Sequence, residues 1–486
     1  MLTSFKNLKS FQLSEFVLLL LYTFCIPFSW RIASYIMIGI FVSTILKGIF
    51  EEGFKTNLLQ YKNKIVYFIF IAFWLLYAIS FFYSENTEEA RIQIGKKLPF
   101  FLFSLFFLTS NLSYLTPNRV KMIMYCFVWG ILAMFFVNLI WAGYDVLIED
   151  KGISRFYDPR LLNEGTGSIH HTYTSIYSCL GISFCFYELI VRTDIKIKLY
   201  NIISIALLIL FIALSNSRAG LLCVVTIFVT MWLWLTFVKK QKKIGYSIGT
   251  IILCLVIVCG LVFRKSVERI TNTISNLNNI ERQDRRIGIT IGYKDLLIDK
   301  FWFGVGAGDR SDETLKSYLK KEEELMHNVK PVHGIYSEEF IRNRRECLEN
   351  IDNKSGGILD DKTFEYAKEK AEEFGCDYNS LKEILATYIN INVAIYSECN
   401  AHNQFSDTII AVGLPGLILF LMMFACPIYL WIKNRNFDIT FFSLLFIIAF
   451  NSLFESVLER QMGIMFFVFF YFILFHNNFC QQKTKN

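Results

Sequence analysis

The strongest constraint on the fold of this chain is a series of long apolar runs that recurs along most of its length. A bilayer core of about 30 Å is crossed by about 20 helical residues, and lipid offers no partner to an unpaired backbone group. The runs therefore predict about twelve transmembrane helices, at 12–30, 32–50, 64–83, 98–116, 121–147, 172–191, 198–214, 218–238, 246–264, 407–432, 438–455 and 460–477. The fifth run is long enough to tilt, or to break near Gly130.

Composition and charge support an all-α, polytopic membrane protein. Of the 486 residues, 54% are hydrophobic and 19% are charged, whereas soluble domains average about 25% charged residues. The net charge of +7 is spread along the chain, without the basic block that would indicate nucleic acid. One set of alternate loops holds about twice as many Lys and Arg residues as the other, and such residues accumulate in cytoplasmic loops. We therefore predict that both termini are cytoplasmic.

The composition changes between residues 265 and 406, where charged residues are dense. This segment is too long for a simple turn and is predicted to form a large, mostly helical extracytoplasmic loop. The chain then divides into helices 1–9 within 1–264, the loop at 265–406, and helices 10–12 with a short tail within 407–486. The chain has 12 cysteines, of which Cys347, Cys376 and Cys399 lie in the loop. The sequence gives no basis for pairing these three.

Polar residues occur at four places in the predicted outer loops. Ser217-Arg218 lies in a short turn between two apolar runs, where an arginine either serves function or snorkels to the headgroups. Arg282, Arg285 and Arg286 form a cluster that could bind phosphate oxygens, although such a cluster is also typical of a solvated turn.

The other two places are a glycine-rich loop and a histidine. The run Phe303–Asp309 contains alternate glycines, which permit close backbone approach or a flexible loop. His402-Asn403 precedes the tenth run, and a neutral imidazole there could accept a proton from a hydroxyl or satisfy local hydrogen bonds.

Lesser candidates are Arg91, Lys97 and His171. His170 and His171 are adjacent, but the third ligand and the carboxylate spacing of a zinc site are missing from the sequence. No Asp-x-Asp motif occurs in the predicted outer loops, so the sequence predicts neither a metal nor another cofactor.

Taken in order, these segments resemble the O-antigen ligase and polymerase superfamily of bacterial envelope glycosyltransferases. The matching pattern runs from Ser217-Arg218, through Arg286 and Gly304-Val305-Gly306, to His402-Asn403 and Gly413-Leu414-Pro415-Gly416. The segment from Tyr83 to Leu98 also resembles the early region of relatives.

Three features depart from the family pattern. Thr290 stands where relatives often have an aromatic residue, Phe301 stands where they often have proline, and the insert between Gly308 and His402 is larger than usual. These departures concern the choice of acceptor rather than the proposed catalytic groups.

The resemblance implies a GT-C-like membrane enzyme that takes a glycan from undecaprenyl diphosphate at the periplasmic face of the bacterial inner membrane. The acceptor would be a hydroxyl of lipid A-core or of another glycan repeat. Arg218 and Arg286 would stabilise the diphosphate, with Arg285 as an alternative to Arg286, and His402 would act as general base in metal-independent, inverting transfer. The substrate-binding candidates are Arg285, Arg282, Ser217, Asn403, Arg91, Lys97 and His171.

Other readings of the sequence remain open. Ligase and polymerase share the whole pattern and differ in the acceptor. A transporter would be expected to carry internal repeats and charged or broken helices near the midplane, and a scaffold would use the large loop to bind a partner without needing Arg218 or His402.

Overall fold

The computed structural model describes residues 10–50, 64–156, 170–215, 217–240, 285–332, 336–355, 361–396 and 401–480, and in these ranges the chain is helical, as predicted. The helices before the large loop are α1 (Ser10–Cys25), α2 (Trp30–Phe50), α3 (Ile65–Ser80), α4 (Thr87–Lys96), α5 (Leu98–Thr109), α6 (Pro117–Leu147), α7 (His171–Val191), α8 (Ile195–Leu214) and α9 (Arg218–Leu233).

The large loop contributes α10 (Arg285–Asp299), α11 (Arg310–Asn328), α12 (Glu338–Ser355), α13 (Asp361–Glu373) and α14 (Tyr378–Tyr396). The chain then continues through α15 (Gln404–Asn434), α16 (Ile439–Ser452), a 3-10 turn (Val457–Glu459) and α17 (Gln461–Phe475).

Eight stretches in the described ranges are long and apolar enough to cross a membrane, and three shorter apolar helices accompany them. Together they account for every predicted span that the structure describes. The predicted ninth span, 246–264, lies outside the described residues. The first predicted span is shorter than expected, because its helix ends at Cys25 and a turn separates it from Trp30.

The helix α17 forms the centre of the bundle. Its residues from Gly463 to Phe475 are all buried, including a run of phenylalanines, as expected for a helix that is apolar on every side. Tyrosine hydroxyls from neighbouring helices donate to backbone carbonyls along it, from Tyr22 to Met465 at 3.0 Å and from Tyr177 to Met462 at 3.2 Å.

The long helix α6 is continuous through Gly130 rather than broken there. A Cβ atom at Gly130 would lie 2.6 Å from the carbonyl oxygen of Phe24. The glycine therefore allows α1 to pack closely against α6.

The insert α10–α14 has a core of its own, which includes Tyr318, Leu348 and Leu385. This core continues onto the start of α15 through Ala401 and Ile410. The insert is therefore packed against the membrane bundle at the helix that follows His402.

Candidate functional site

Three of the predicted site positions lie together at one end of the bundle, where several helices begin. Helix α7 begins at His171, α9 begins at Arg218, and α15 begins directly after His402-Asn403. Helix N-termini carry partial positive charge and unpaired N–H groups, an environment that favours anions.

Ser217 positions the turn that carries Arg218. Its hydroxyl accepts the Gly220 N–H at 3.2 Å and so caps α9. A Cβ at Gly220 would lie 2.7 Å from the Cβ of Ser175, so this first turn of α9 packs against the first turn of α7. The described backbone places Arg218 at the first position of α9, while its side chain lies outside what the structure describes.

Asn403 fixes the start of α15 in the same region. Its side-chain oxygen accepts the N–H groups of Phe405 at 2.9 Å and Ser406 at 3.2 Å, and its side-chain nitrogen donates to the Leu453 carbonyl at 3.3 Å. His402 just before it has a φ of 48°, in the left-handed region that non-glycine residues rarely adopt. These contacts hold His402 in an otherwise unfavourable backbone conformation.

Glu455 is the partner of His402 that the sequence reading missed. Its Oε2 lies 3.5 Å from Nδ1 of His402, and each side chain is 28% exposed. Glu455 also interacts electrostatically with His171 at the start of α7. A proton on Nδ1 would donate to this carboxylate and leave Nε2 as the basic nitrogen. The sequence signal that could have identified Glu455 is its position as an acidic residue beside the short loop between the last two apolar runs.

Helix α10 distinguishes the positions of Arg285 and Arg286. Arg285 shares a helix face with Gly288 and Gly292, which pack closely against Asn390 and Tyr318 inside the insert.

Arg286, Thr290 and Tyr293 share a different face of α10, because helical residues three and four positions apart are neighbours. The Tyr293 hydroxyl donates to the hydroxyl of Ser406, in the first turn of α15, at 3.2 Å. The face that holds the Arg286 position is therefore the one that contacts the helix after His402. The side chains of Arg285 and Arg286 lie outside what the structure describes, as does the whole of Arg282.

The two glycine motifs contact each other. Helix α15 breaks at Gly413, where φ is 70°, and Pro415 has no N–H to donate to the Ala411 carbonyl. The freed carbonyls of Ile410 and Ala411 accept the N–H groups of Val305 at 2.7 Å and Gly306 at 3.1 Å.

In return, the Leu414 N–H donates to the Phe301 carbonyl at 2.8 Å. A Cβ at Gly304 would lie 2.6 Å from the carbonyl group of Ala411. The Gly-Val-Gly segment is therefore paired with α15, which favours close backbone approach over the flexible-loop interpretation.

The same loop is tied to the segment that follows α3. Both carboxylate oxygens of Asp309 accept backbone N–H groups, from Glu85 at 2.8 Å and from Asn86 at 2.7 Å. The Ser84 hydroxyl accepts the Gly308 N–H at 3.2 Å. The early region Tyr83–Leu98 and the glycine loop thus form one assembly.

A buried charge cluster lies near the start of α15 and consists of Lys97, Arg310, Asp407 and Glu459. The Lys97 ammonium contacts both carboxylate oxygens of Glu459 at 3.1 Å, and Arg310 contacts Asp407 at 2.5 Å. Arg310 also approaches Glu459 at 3.8 Å. The Ser456 hydroxyl donates to Asp407.

Mutual pairing favours the charged forms of Glu459 and Arg310 in this cluster. Burial would raise the pKa of Glu459, but Lys97 and Arg310 outweigh that effect and hold the pKa below its ordinary value. Burial would lower the pKa of Arg310, but Asp407 and Glu459 raise it above the ordinary value. The loop between α16 and α17 therefore carries Glu455 toward His402 and Glu459 into this cluster.

The remaining predicted residues are placed as follows. Lys97 is fully buried in the charge cluster and lies 4.3 Å from the centre of the Tyr77 ring, away from solvent. Arg91 is exposed, with its guanidinium 5.7 Å from the centre of the Phe81 ring.

The ring of His171 lies against that of His170, with ring centres 4.3 Å apart and the planes tilted by 32°. Nδ1 of His170 accepts the Thr172 N–H at 3.4 Å. Across the described ranges, no group of three or more His, Cys, Asp or Glu residues is arranged to hold a metal ion. The two histidines therefore gain no third ligand from that part of the chain.

These features define a multi-pass, all-α membrane protein with a helical insert and a cluster of polar residues at one end of its bundle. The family model described as O-antigen ligase matches residues 203–342. This match confirms the resemblance and places that segment, from α8 to the start of α12, in the O-antigen ligase and polymerase superfamily.

The matched segment is accordingly of O-antigen ligase or polymerase type, and it covers less than half of the chain. No curated protein matches the chain. The matched segment ends before His402, so the roles of His402 and Glu455 depend on the local geometry.

Proposed function

We propose that this protein transfers a glycan from undecaprenyl diphosphate to a hydroxyl of lipid A-core. The contact between His402 and Glu455, beside the first turns of α7 and α9, is the observation that carries this proposal. This contact places a basic nitrogen next to helix N-termini, which favour an anion such as a diphosphate.

The reaction is a direct displacement at the sugar C1. The acceptor oxygen attacks C1 while the bond from C1 to the diphosphate oxygen breaks, and the electron pair of that bond stays on the diphosphate. The acceptor proton passes to Nε2 of His402, and Glu455 stabilises the resulting imidazolium. One displacement inverts the anomeric centre.

Arg218 and Arg286 stabilise the charge that develops on the diphosphate, so the transfer needs no metal. Arg218 occupies the first position of α9, at the positive end of that helix. Arg286 is preferred to Arg285, since its helix face carries Tyr293, which contacts α15. Ser217 and Asn403 act by capping the two helices that present these groups.

The proposed orientation follows the charge bias of the loops. Both termini lie in the cytoplasm, the site and the insert lie in the periplasm, and the protein resides in the bacterial inner membrane. The segments before, within and after the insert are then one functional unit, since the insert core continues onto α15.

The test uses purified protein with an undecaprenyl diphosphate-linked glycan, in EDTA and without nucleotide. Lipid A-core and a second lipid-linked repeat are offered separately. Product on lipid A-core supports ligase activity, whereas lengthening of the lipid-linked chain makes the protein a polymerase. The absence of both products from folded protein, across several donor glycans, would contradict the proposal.

Variants identify the residues that act in this assay. Arg218→Ala, Arg286→Ala and His402→Gln are expected to abolish transfer in protein that inserts normally. Arg285→Ala is expected to retain it. Arg342→Ala and His327→Gln are matched controls, because both side chains are exposed on the insert. Normal transfer by Arg218→Ala or His402→Gln would refute the assigned roles.

A further inference from the structure

Two cysteines of the insert, distant in the sequence, meet in the structure. Cys347 lies in α12, and Cys376 lies in the turn between α13 and α14. Both side chains belong to the buried core of the insert and interact with each other, and both thiols are free in the structure. Cys347 is 0% exposed and Cys376 is 2% exposed.

The backbone around Cys376 is fixed on both sides. Cys376 forms an isolated antiparallel bridge with Pro331. The Val332 N–H donates to the Gly375 carbonyl at 3.1 Å, and the Asp377 N–H donates to the Lys330 carbonyl at 2.8 Å. Cys347 is held within a regular helix whose apolar face is buried. A disulfide requires Cβ atoms that already face each other, and here two fixed elements hold both side chains in one core.

A buried guanidinium accompanies the pair. Arg344, one helical turn before Cys347, is 5% exposed and interacts with Cys376. The hydrogen bond from Cys347 and the charge of Arg344 hold the pKa of Cys376 below its ordinary value, although burial opposes them. The thiolate is the form that attacks disulfides, so Cys376 becomes the better nucleophile of the two once Arg344 and Cys347 are close to it.

We propose that Cys347 and Cys376 form a disulfide that fastens α12 to the turn before α14. The inference depends on the proposed extracytoplasmic position of the insert, because disulfides form and persist in oxidising compartments. It is independent of glycan transfer. The bond encloses α13 and locks the two halves of the insert together.

The oxidation is a thiol–disulfide exchange with an oxidoreductase that carries a reactive disulfide. The Cys376 thiolate attacks one sulfur of that disulfide and forms a mixed disulfide, and the other sulfur leaves as a thiolate. The Cys347 sulfur then loses its proton and attacks Cys376, which releases the reduced oxidoreductase. Two electrons and two protons pass to the oxidoreductase. Since both thiols are buried in the finished fold, the exchange precedes complete packing of the insert.

The test is differential alkylation of the full chain in cells. Free thiols are blocked with N-ethylmaleimide in SDS, disulfides are reduced, and new thiols are labelled with iodoacetamide before peptide mass spectrometry. Cys347 and Cys376 are expected to carry the second label, and their peptides to be linked before reduction. Cys179 and Cys223 also contact each other, but within the membrane helices α7 and α9, and they are expected to carry the first label.

First-label modification of both Cys347 and Cys376 would overturn the proposal. A Lys320→Cys variant, probed in intact cells with a membrane-impermeant maleimide, reports separately on the side of the membrane, since Lys320 is exposed on α11. Cys399→Ser is the control variant and is expected to leave the linked peptide unchanged. If the wild-type protein shows the linked peptide but no glycan transfer, that result counts against the proposed function and leaves the disulfide proposal intact.

Discussion

At the scale of single residues, the candidate site consists of a histidine held in a rare conformation and an acidic partner that faces it. His402 has a positive φ, and Asn403 ties the start of α15 to the Leu453 carbonyl. The sequence reading identified the histidine, whereas Glu455 became visible as its partner only in the structure. The proposed mechanism makes Glu455 a positioning residue.

The first prediction concerns Glu455. Glu455→Ala is expected to lower kcat for transfer about ten-fold or more, because the imidazole loses the group that sets its tautomer and stabilises its charged form. The KM for the lipid-linked donor is expected to change little. Glu455→Asp is expected to restore part of the rate, a rescue that a purely structural role would not give.

Steady-state kinetics on purified variants provide the measurement for Glu455. Glu339→Ala is a matched control, because Glu339 is exposed on α12. An unchanged kcat in Glu455→Ala would show that the contact with His402 has no part in transfer.

A second prediction at this scale concerns two carboxyl groups inside the insert. Burial raises the pKa of Glu322, with Asp352 and Glu349 adding to the effect against a hydrogen bond from Tyr388. Burial likewise raises the pKa of Asp352, although Asn392 donates to it at 3.2 Å. A raised pKa means that the folded insert binds these protons more tightly than the unfolded chain.

The stability that these two groups contribute is therefore fully present below their ordinary pKa values and is lost as the pH rises through the folded-state values. Glu322→Gln with Asp352→Asn is expected to stabilise the insert relative to the wild type, by an amount that grows from pH 4 to pH 7. Hydrogen–deuterium exchange of α11 and α14, corrected for intrinsic rates, measures the difference.

Glu324→Gln is a control that is expected to change stability in the opposite direction to the Glu322 and Asp352 double variant. Lys321 donates to Glu324 at 2.8 Å and lowers its pKa, so neutralising Glu324 removes a favourable contact at pH 7. A pH-independent difference between the double variant and the wild type would contradict the assignment.

At the scale of elements, the break in α15 organises the site. Gly413 ends the first part of the helix, and the released backbone groups pair with the loop that contains Gly304 and Gly306. The two glycine motifs, more than a hundred residues apart, therefore act as one backbone junction between the bundle and the insert.

The third prediction tests this junction. Gly304→Ala combines a φ of 71° with a Cβ that would overlap the Ala411 carbonyl group. Gly375→Ala has a similar φ of 70°, but nothing lies within 4 Å of the added Cβ. The control is expected to cost about 1–2 kcal/mol from the left-handed backbone alone, and Gly304→Ala is expected to cost more.

Thermal unfolding in detergent, followed by size-exclusion chromatography of heated samples, ranks the two glycine variants. The expected order of decreasing thermal stability is wild type, then Gly375→Ala, then Gly304→Ala. Transfer activity is expected to be lost in Gly304→Ala. Equal losses of stability would show that close approach at Gly304 has no separate effect.

At the scale of the whole molecule, the buried charge cluster links distant parts of the chain. Lys97 and Glu459 are separated by 362 positions, and Arg310 brings the insert into the same cluster. A buried charge left without its partner is strongly destabilising, although replacing a whole pair by apolar groups can be neutral.

The fourth prediction follows from this asymmetry. Arg310→Met is expected to destabilise the protein by about 3–5 kcal/mol, because Asp407 stays buried without its main partner. The double variant Lys97→Met with Glu459→Gln is expected to lose less stability than the sum of the losses in the two single variants.

Lys321→Ala serves as the surface control for the cluster, since exposed ion pairs contribute about 0–1 kcal/mol. Unfolding midpoints of all variants in one detergent give the comparison. A small effect of Arg310→Met, equal to that of Lys321→Ala, would show that the cluster does not join the insert to the bundle.

The sequence by itself determined the fold class, the positions of the apolar helices that the structure describes, and the resemblance that the family model supports at residues 203–342. Membrane crossing depends on the hydrophobicity of one continuous segment, and each segment satisfies its own backbone hydrogen bonds, so both properties can be read locally. The motif residues His402 and Ser217-Arg218 were also identified locally, because polar groups at the ends of apolar runs stand out.

Only the tertiary structure decided which of these residues meet. The contacts of Glu455 with His402, of Gly304 with Ala411, and of Cys347 with Cys376 join helices through side-chain packing and released backbone groups. The same is true of Lys97, which the sequence suggested as a substrate contact and the fold buries against Glu459. No local pattern encodes these pairings, because each depends on the three-dimensional path of the chain between the two partners.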